Sequence, residues 1–136
     1  MARYVIDATT LLHLVAEDVQ VDPAHQLVAP NMIRSQALTL LLQAVARRQL
    51  DEAEALRRHE RLTAMKMRLL GDRVSRRVAW RIAREHEWDS TYEAEYLAVT
   101  RLQADALVTI DPALAAKAEH IVQLAPLAAL TEPPEI

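Results

Sequence analysis

Two aspartates in this chain each follow a short apolar run, and a glutamate lies between them in sequence. Asp7 comes directly after Tyr4–Ile6, and Asp111 comes directly after Ala106–Ile110. Because ligands bind at the carboxyl ends of parallel strands, both carboxylates are predicted to meet at one edge of a sheet. Glu93, at the start of a predicted helix, can join them. Such carboxylates repel one another unless a cation lies between them, and their oxygens suit Mg²⁺ or Mn²⁺. The pattern predicts a metal-dependent enzyme that acts on phosphate esters.

Helix capping is the structural alternative for each of these acids. Aspartate is favoured at N-cap positions, so Asp7 and Asp111 can each begin a helix instead. Ser90 and Glu93 have the spacing of a capping box. Asp89, four residues before Glu93, faces the same side if that helix begins early, and it is predicted as a further metal ligand. Both roles therefore stay open, with Asp7, Glu93 and Asp111 as the predicted catalytic residues.

Basic residues are concentrated in one part of the chain. Ten of the 16 basic residues lie between Arg57 and Arg84, although the net charge of the chain is −3. Such asymmetry steers a polyanion toward one side of a protein. The alternative is a solvated helix face, since arginine is also a good helix former. Trp80 and Trp88 are interpreted as core or interface anchors, with base stacking as the alternative. The predicted nucleic-acid contacts are Arg73, Arg76, Arg77, Arg81 and Arg84.

Strand-like runs alternate with helical periodicity along the chain. This alternation predicts an α/β fold, a three-layer α/β/α sandwich with a short central parallel sheet. One domain is predicted over 1–130, and 131–136, with two prolines, is predicted to be a flexible tail. The predicted strands are 4–6, 26–29, 106–110 and 121–124, and the predicted helices are 9–15, 31–47, 51–70, 72–85, 90–103 and 113–118.

The composition excludes several other kinds of site. A single glycine leaves no Walker loop and no dinucleotide fingerprint, because both need several glycines where backbone approaches phosphate. The absence of cysteine removes disulfides and thiolate zinc sites, and the five histidines lack the spacing of a zinc site. No apolar run is long enough to cross a bilayer, and no signal peptide is recognisable. A soluble cytoplasmic protein is therefore expected.

Three motifs follow one another along the chain. They are Val5-Ile6-Asp7-Ala8-Thr9, Tyr92-Glu93-Ala94-Glu95-Tyr96-Leu97-Ala98 and Leu107-Val108-Thr109-Ile110-Asp111-Pro112-Ala113-Leu114-Ala115. In this order they resemble the PIN-domain ribonucleases, especially the VapC-type toxins of bacterial toxin–antitoxin pairs. The second motif is similar to the family's Tyr-Asp-Ala-x-Tyr-Leu-Ala helix start, with Glu93 in place of the aspartate. The resemblance covers nearly the whole chain, although residues 50–85 carry no specific motif.

The resemblance implies hydrolysis of RNA phosphodiesters at an Mg²⁺ or Mn²⁺ site built from Asp7, Glu93 and Asp111. It further implies the toxin of a type II toxin–antitoxin system, with an RNA substrate and a cognate antitoxin, and a homodimer stays open. Gln36 stands where the family usually has a glutamate, and it brings no charge. Thr109 can donate a hydrogen bond to a ligating carboxylate. Two alternatives stay open. Gln36 favours a weakened PIN fold that binds RNA or protein without cutting, and the third possibility is a phosphatase or other α/β hydrolase that acts on a small phosphorylated substrate.

Overall fold

A computed structural model describes residues 2–134 of the chain. Its strands are β1 (Arg3–Ile6), β2 (Gln26–Pro30), β3 (Arg68–Leu70) and β4 (Ala106–Val108). Its α-helices are α1 (Ala8–Ala16), α2 (Ile33–Ala46), α3 (Glu52–Ala64), α4 (Arg73–Glu85), α5 (Tyr92–Gln103) and α6 (Pro112–Ala118), and a 3-10 helix follows at Leu127–Leu130. Every helix among residues 2–134 is too short or too polar to span a bilayer.

The strands form one parallel sheet in the order β3-β2-β1-β4. In the centre, Val5 of β1 pairs with Val28 of β2 on one side and with Leu107 of β4 on the other. All three side chains are fully buried. Strands that are covered on both faces carry continuous apolar runs, which is why the short segment Tyr4–Ile6 can form the middle of the sheet.

Helices cover both faces of this sheet. Helix α1 packs against α2 and α3, whereas α5 packs against α4 and against β1, β2 and β4. The crossovers from β1 to β2 and from β2 to β3 proceed in one direction, and the return from β3 to β4 runs the other way. Since such crossovers are right-handed, α1–α3 and α4–α5 lie on opposite faces. The predicted three-layer α/β/α sandwich is confirmed.

The strand order places a switch point between β1 and β4. From β1 the chain moves to β2 and then β3 on one side, and it returns to β4 on the other side. In open α/β sheets a crevice lies beyond the carboxyl ends of the strands at such a switch point. Asp7 directly follows β1, and Asp111 comes three residues after β4. The fold therefore delivers both aspartates to the crevice between β1 and β4.

The predicted helix over 51–70 is wrong in its last third. Helix α3 ends at Ala64, and Arg68–Leu70 form the edge strand β3, with Leu69 opposite Ala29 of β2. The break occurs at Met65, whose backbone is extended, and Arg34 of α2 donates hydrogen bonds to the carbonyls of Thr63 and Met65. Pairing with β2 therefore overrides the helical periodicity of this segment.

Two other boundaries also differ from the prediction. The predicted strand over 106–110 ends at Val108, and the predicted strand over 121–124 is reduced to an isolated bridge between Leu107 and Leu124. Ala118 ends α6 only a few residues earlier, so little chain remains for a longer ladder. The flexible tail stays a prediction, and residues 135 and 136 of it lie outside the described residues.

Candidate active site

A pocket of about 500 Å³ lies at the carboxyl edge of the sheet. Asp7, Gln36, Glu93 and Asp111 all line it, although they come from four separate parts of the chain. Helix α2 contributes Gln36, the first turn of α5 contributes Glu93, and the segments after β1 and β4 contribute the two aspartates. The structure thus brings together the three predicted catalytic acids and the predicted pocket glutamine.

Asp7 is the most buried acid of the pocket, with only 5% of its surface exposed. It occupies the N-cap position of α1, but its side chain makes no capping hydrogen bond. Instead it accepts a hydrogen bond from the hydroxyl of Thr10. Burial raises the pKa of Asp7, and hydrogen bonds from the hydroxyls of Thr10 and Thr109 oppose that rise only in part. A buried carboxylate with a raised pKa at a ligand pocket is a candidate functional group.

Thr10 and Thr109 connect the ends of β1 and β4. The Thr10 hydroxyl accepts a hydrogen bond from the Ile110 backbone N–H at 3.1 Å while it donates to Asp7. The Thr109 hydroxyl accepts from the Asp111 N–H, also at 3.1 Å. The two threonines therefore hold the segments that carry the aspartates against each other. Thr109, predicted as a possible pocket residue, does not line the pocket but hydrogen bonds to Asp7. Sequence reasoning missed Thr10, despite its position one helical turn after Asp7.

The other two acids are already engaged by groups of the chain. Asp111 is the N-cap of α6, and its carboxylate accepts a hydrogen bond from the Ala113 N–H at 2.9 Å. Glu93 forms an ion pair with Lys117 of α6, with 2.6 Å between Oε1 and Nζ. The capping box considered as the alternative role of Ser90 and Glu93 does not form within the described residues, because Thr91 is the N-cap of α5. Nothing in the local sequence pairs Glu93 with a lysine 24 residues away.

Gln36 lies opposite α5 and is held by Tyr96. The Tyr96 hydroxyl donates a hydrogen bond to Gln36 Oε1 at 2.5 Å. Burial raises the pKa of Tyr96, and the nearby Asp7 charge raises it further, so the phenol stays protonated and acts as a donor. This contact fixes the amide of Gln36 at the pocket wall. Tyr96 belongs to the motif of α5, but its partner 60 residues away could not be deduced from spacing.

The remaining predicted site residues lie outside the pocket. Asp89 is exposed in the loop before α5 and does not line the pocket. The predicted RNA-binding arginines are also outside it, and all are exposed on α4: Arg73, Arg76, Arg77, Arg81 and Arg84. The structure therefore separates the acidic pocket from the basic helix, and it does not bring Asp89 to the other acids.

The donor set determines which metal ion the pocket can hold. Among residues 2–134, no group of three or more His, Cys, Asp or Glu is close enough to bind a metal jointly. Mg²⁺, however, retains several waters and commonly uses only one or two protein carboxylates. Asp7 and Asp111, with the amide oxygen of Gln36 nearby, fit a hydrated ion of this kind. They do not form a protein cage for a dehydrated ion.

A larger pocket, about 710 Å³, lies at the opposite edge of the sheet, where β2 and β3 begin. Its wall is mostly apolar, with Leu14, Val21 and Met67 among the lining side chains. It contains none of the predicted catalytic residues, and Asp18 in its wall is paired with Arg61 at 2.9 Å. The smaller pocket is therefore the candidate active site, because it holds the buried acid and lies at the switch point.

Comparisons with known proteins define the fold. No protein-family model matches the chain, and no curated protein matches it. Among solved structures, the crystal structure of PAE2754 from Pyrobaculum aerophilum aligns with a TM-score of 0.74 and 24% identity, over 95% of this chain and 92% of that one. VapBC-1 from nontypeable Haemophilus influenzae aligns with a TM-score of 0.60 and 14% identity, over 91% and 97%. At these identities the similarity is one of architecture, and the chain has a PIN-like α/β/α fold.

Proposed function

We propose that this chain is a metal-dependent endoribonuclease that acts in the cytoplasm as the toxin of a type II toxin–antitoxin system. One observation supports this function above all: Asp7, Glu93 and Asp111 converge with Gln36 on one pocket at the switch point of a PIN-like fold. The sequence motifs that resemble VapC-type toxins contain all three acids. A buried Asp7 without an ion-pair partner among residues 2–134 is costly unless a cation binds there.

In this proposal Asp7 and Asp111 hold the cation, and Gln36 contributes an amide oxygen or orients a water. When bound, a divalent ion polarises a phosphate and lowers the pKa of a bound water. Thr10 and Thr109 keep the Asp7 carboxylate aimed at the pocket, because their hydroxyls hydrogen bond to it. Tyr96 fixes the Gln36 amide. The Lys117 ammonium reduces the negative charge of Glu93 that an approaching phosphate meets.

Cleavage of a panel of single-stranded and hairpin RNAs tests the proposed activity. Cleavage should require Mg²⁺ or Mn²⁺ and stop in chelator, and Asp7→Asn should lower its rate about 100-fold or more. Asp89→Asn is the matched control, since Asp89 is an exposed aspartate outside the pocket. Cleavage that continues in chelator, or that is equally sensitive to both substitutions, would contradict the proposed site.

A cognate antitoxin is part of the same proposal, and the similarity to a VapBC structure supports it. An acidic pocket is blocked most simply by an arginine or lysine from a partner's disordered segment. Co-expression with the product of the adjacent small reading frame should give a complex in which cleavage is suppressed. Asp111→Asn should lower the affinity of the two proteins for each other, measured as binding rather than cleavage, by removing a charge that the inserted cation would face. A free and fully active nuclease after co-expression would rule this partner out.

The alternative is a PIN-fold module that binds RNA or protein without cutting. Two features of the pocket favour it: Gln36 replaces a charged residue, and Lys117 already neutralises Glu93. This alternative predicts metal-independent RNA binding and no cleavage of any RNA in the panel. The metal titration described above separates the two functions, because only the nuclease gains an activity when the ion is added.

A further inference from the structure

Helix α4 carries a tryptophan in the middle of its arginine face. Ser75, Ala79, Ile82 and Ala83 form its buried side. On the other side, residues spaced four, three and four apart form one stripe, because such spacings return to the same face of a helix. The members of this stripe, hereafter the α4 stripe, are Arg73, Arg77, Trp80 and Arg84. Trp80 is 62% exposed, which is unusual for the largest apolar side chain.

The charges of the α4 stripe are free of partners inside the described part of the chain. None of the ion pairs within residues 2–134 involves an arginine of α4. Arg76 and Arg81 flank the stripe and are also exposed, and the sole acid of the helix is Glu85 at its last position. An exposed aromatic ring among arginines that form no ion pair within residues 2–134 is therefore available to a polyanionic partner.

Helix α4, which carries the α4 stripe, packs against a helix that lines the candidate active site. Helix α4 packs along α5, and the first turns of α5 contribute Glu93 and Tyr96 to the pocket. Arg76 is close enough to Glu95 of α5 for its charge to lower the pKa of that carboxyl, against the larger effect of burial. The α4 stripe thus belongs to a helix that is one element away from the pocket.

We propose that the α4 stripe is a platform for single-stranded RNA, on which an unpaired base stacks against Trp80 while the arginines neutralise the flanking phosphates. The proposal rests on the proposed function in taking RNA as the strand, and it specifies that the strand is unpaired where it contacts α4. Aromatic rings that alternate with basic groups are typical of single-strand binding. A duplex offers no free base face to Trp80, because its bases are already stacked on one another.

A second copy of this chain is a poorer occupant. A two-fold contact through α4 would place the same surface of both copies face to face. Five arginines would then approach five others, and like charges across an interface cost several kcal/mol. The charge of the α4 stripe therefore favours a nucleic acid over a homodimer.

Binding without cleavage tests the platform. The background is Asp7→Asn in chelator, with a fluorescently labelled 12-nucleotide RNA followed by anisotropy as salt increases. Trp80→Ala should weaken binding about tenfold at every salt concentration, because stacking of one base is lost. Arg77→Gln with Arg84→Gln should instead flatten the dependence of log affinity on log salt, by about 0.7 for each lost phosphate contact. Trp80→Phe should restore most of the affinity, since it retains a ring.

The matched control is Leu56→Ala, which removes a side chain of similar exposure, 57%, from α3. It should leave affinity unchanged, and Trp80→Ala should leave binding of the corresponding duplex unchanged. Equal affinity of Trp80→Ala and its background for single strands would overturn the platform. So would a loss of dimer in sedimentation caused by Trp80→Ala, because Trp80 would then be an interface residue. Since the assay contains no metal and scores binding alone, absence of cleavage by the wild-type chain contradicts the nuclease and not the platform.

Discussion

The pocket at the sheet edge and the outer face of α4 carry opposite charge and are built in opposite ways. Asp7 is 5% exposed in the pocket, whereas Trp80 is 62% exposed on the helix. Three polar groups of the pocket are held by other side chains: Asp7 by Thr10, Gln36 by Tyr96 and Glu93 by Lys117. The arginines of α4 have no such partner within residues 2–134.

The difference between fixed and exposed side chains indicates what each region can contribute to one reaction. Side chains that are fixed before the substrate arrives can stabilise a transition state, since no reorganisation is needed at the moment of reaction. Side chains that move freely in water act through charge over a longer distance, so they capture and guide a polyanion. We therefore expect pocket substitutions to change kcat, and α4 substitutions to change KM and its salt dependence.

The largest expected effect separates these two roles directly. Asp7→Asn should lower kcat for RNA cleavage about 100-fold or more, with RNA affinity within about twofold of wild type. Arg77→Gln with Arg84→Gln should raise KM at moderate salt with little change in kcat. Steady-state kinetics at two salt concentrations measure both. If the arginine variant lost kcat as strongly as Asp7→Asn, the division between capture and chemistry would be wrong.

The next effect concerns the cost of burying Asp7. Burial raises its pKa, so in the range between the unfolded and folded pKa values the folded chain keeps a proton that the unfolded chain has released. Stability should therefore fall as pH rises through this range and stay lower above it. Asp7→Asn should be more stable than wild type at pH 7 by about 0.5–2 kcal/mol. The gain should vanish below roughly pH 3.9, where the aspartate is protonated in both states.

Urea unfolding over a pH series measures this gain, with Asp89→Asn as the control for the substitution itself. Mg²⁺ should stabilise the wild-type chain and not Asp7→Asn, because only the first holds the ion; at 100 times the Kd the difference is about 2.7 kcal/mol. A variant that is no more stable than wild type at pH 7 would show that the Asp7 carboxylate is not strained by burial.

A smaller effect is expected at Gln36, which brings no charge to the pocket. Gln36→Glu should tighten Mn²⁺ binding by about 1 kcal/mol, since the new carboxylate adds an attractive charge. The Tyr96 hydroxyl can donate to either side chain, so the geometry should be retained. Calorimetric titration measures the change, with Gln103→Glu at the end of α5 as the control outside the pocket. Tighter binding without any cleavage would favour the non-cutting alternative, and equal affinity would place Gln36 outside the metal site.

The smallest effect is expected at Lys117, whose ion pair with Glu93 is partly exposed. Lys117→Met should free Glu93 and tighten Mn²⁺ binding about threefold, because exposed ion pairs contribute only about 0.2–1 kcal/mol. The lysine also lies 5.3 Å from the Trp88 ring centroid, a contact that methionine can partly replace. Lys66→Met is the matched control, since Lys66 is exposed and away from this pocket. The same gain from both lysines would indicate a general charge effect.

The α/β class and the strand-end aspartates could be predicted because they depend on local patterns. Tyr4–Ile6 and Ala106–Val108 are apolar runs with an acid at or shortly after their ends, and a parallel sheet places such ends together. Edge strand β3 was not predictable in the same way. Its three residues lie in a stretch with helical periodicity, and only hydrogen bonds from β2 make them a strand. In a segment of three residues, hydrogen bonding to a neighbouring strand outweighs helix propensity.

The sequence by itself determined which acids can meet. Asp7 and Asp111 each follow an apolar run, so each lies at or just beyond the carboxyl end of a strand. Only the tertiary structure decided how Gln36 and Glu93 are held and which basic groups form no ion pair within residues 2–134. Tyr96 donates a hydrogen bond to Gln36, 60 residues away in sequence, and Lys117 forms an ion pair with Glu93, 24 residues away. The exposure of Trp80 was also decided by the tertiary structure. From sequence this residue was interpreted as a core or interface anchor, with base stacking as the alternative, and in the structure it is exposed on α4. Spacing along a chain predicts neighbours within a helix or strand, whereas contacts between elements depend on how those elements pack.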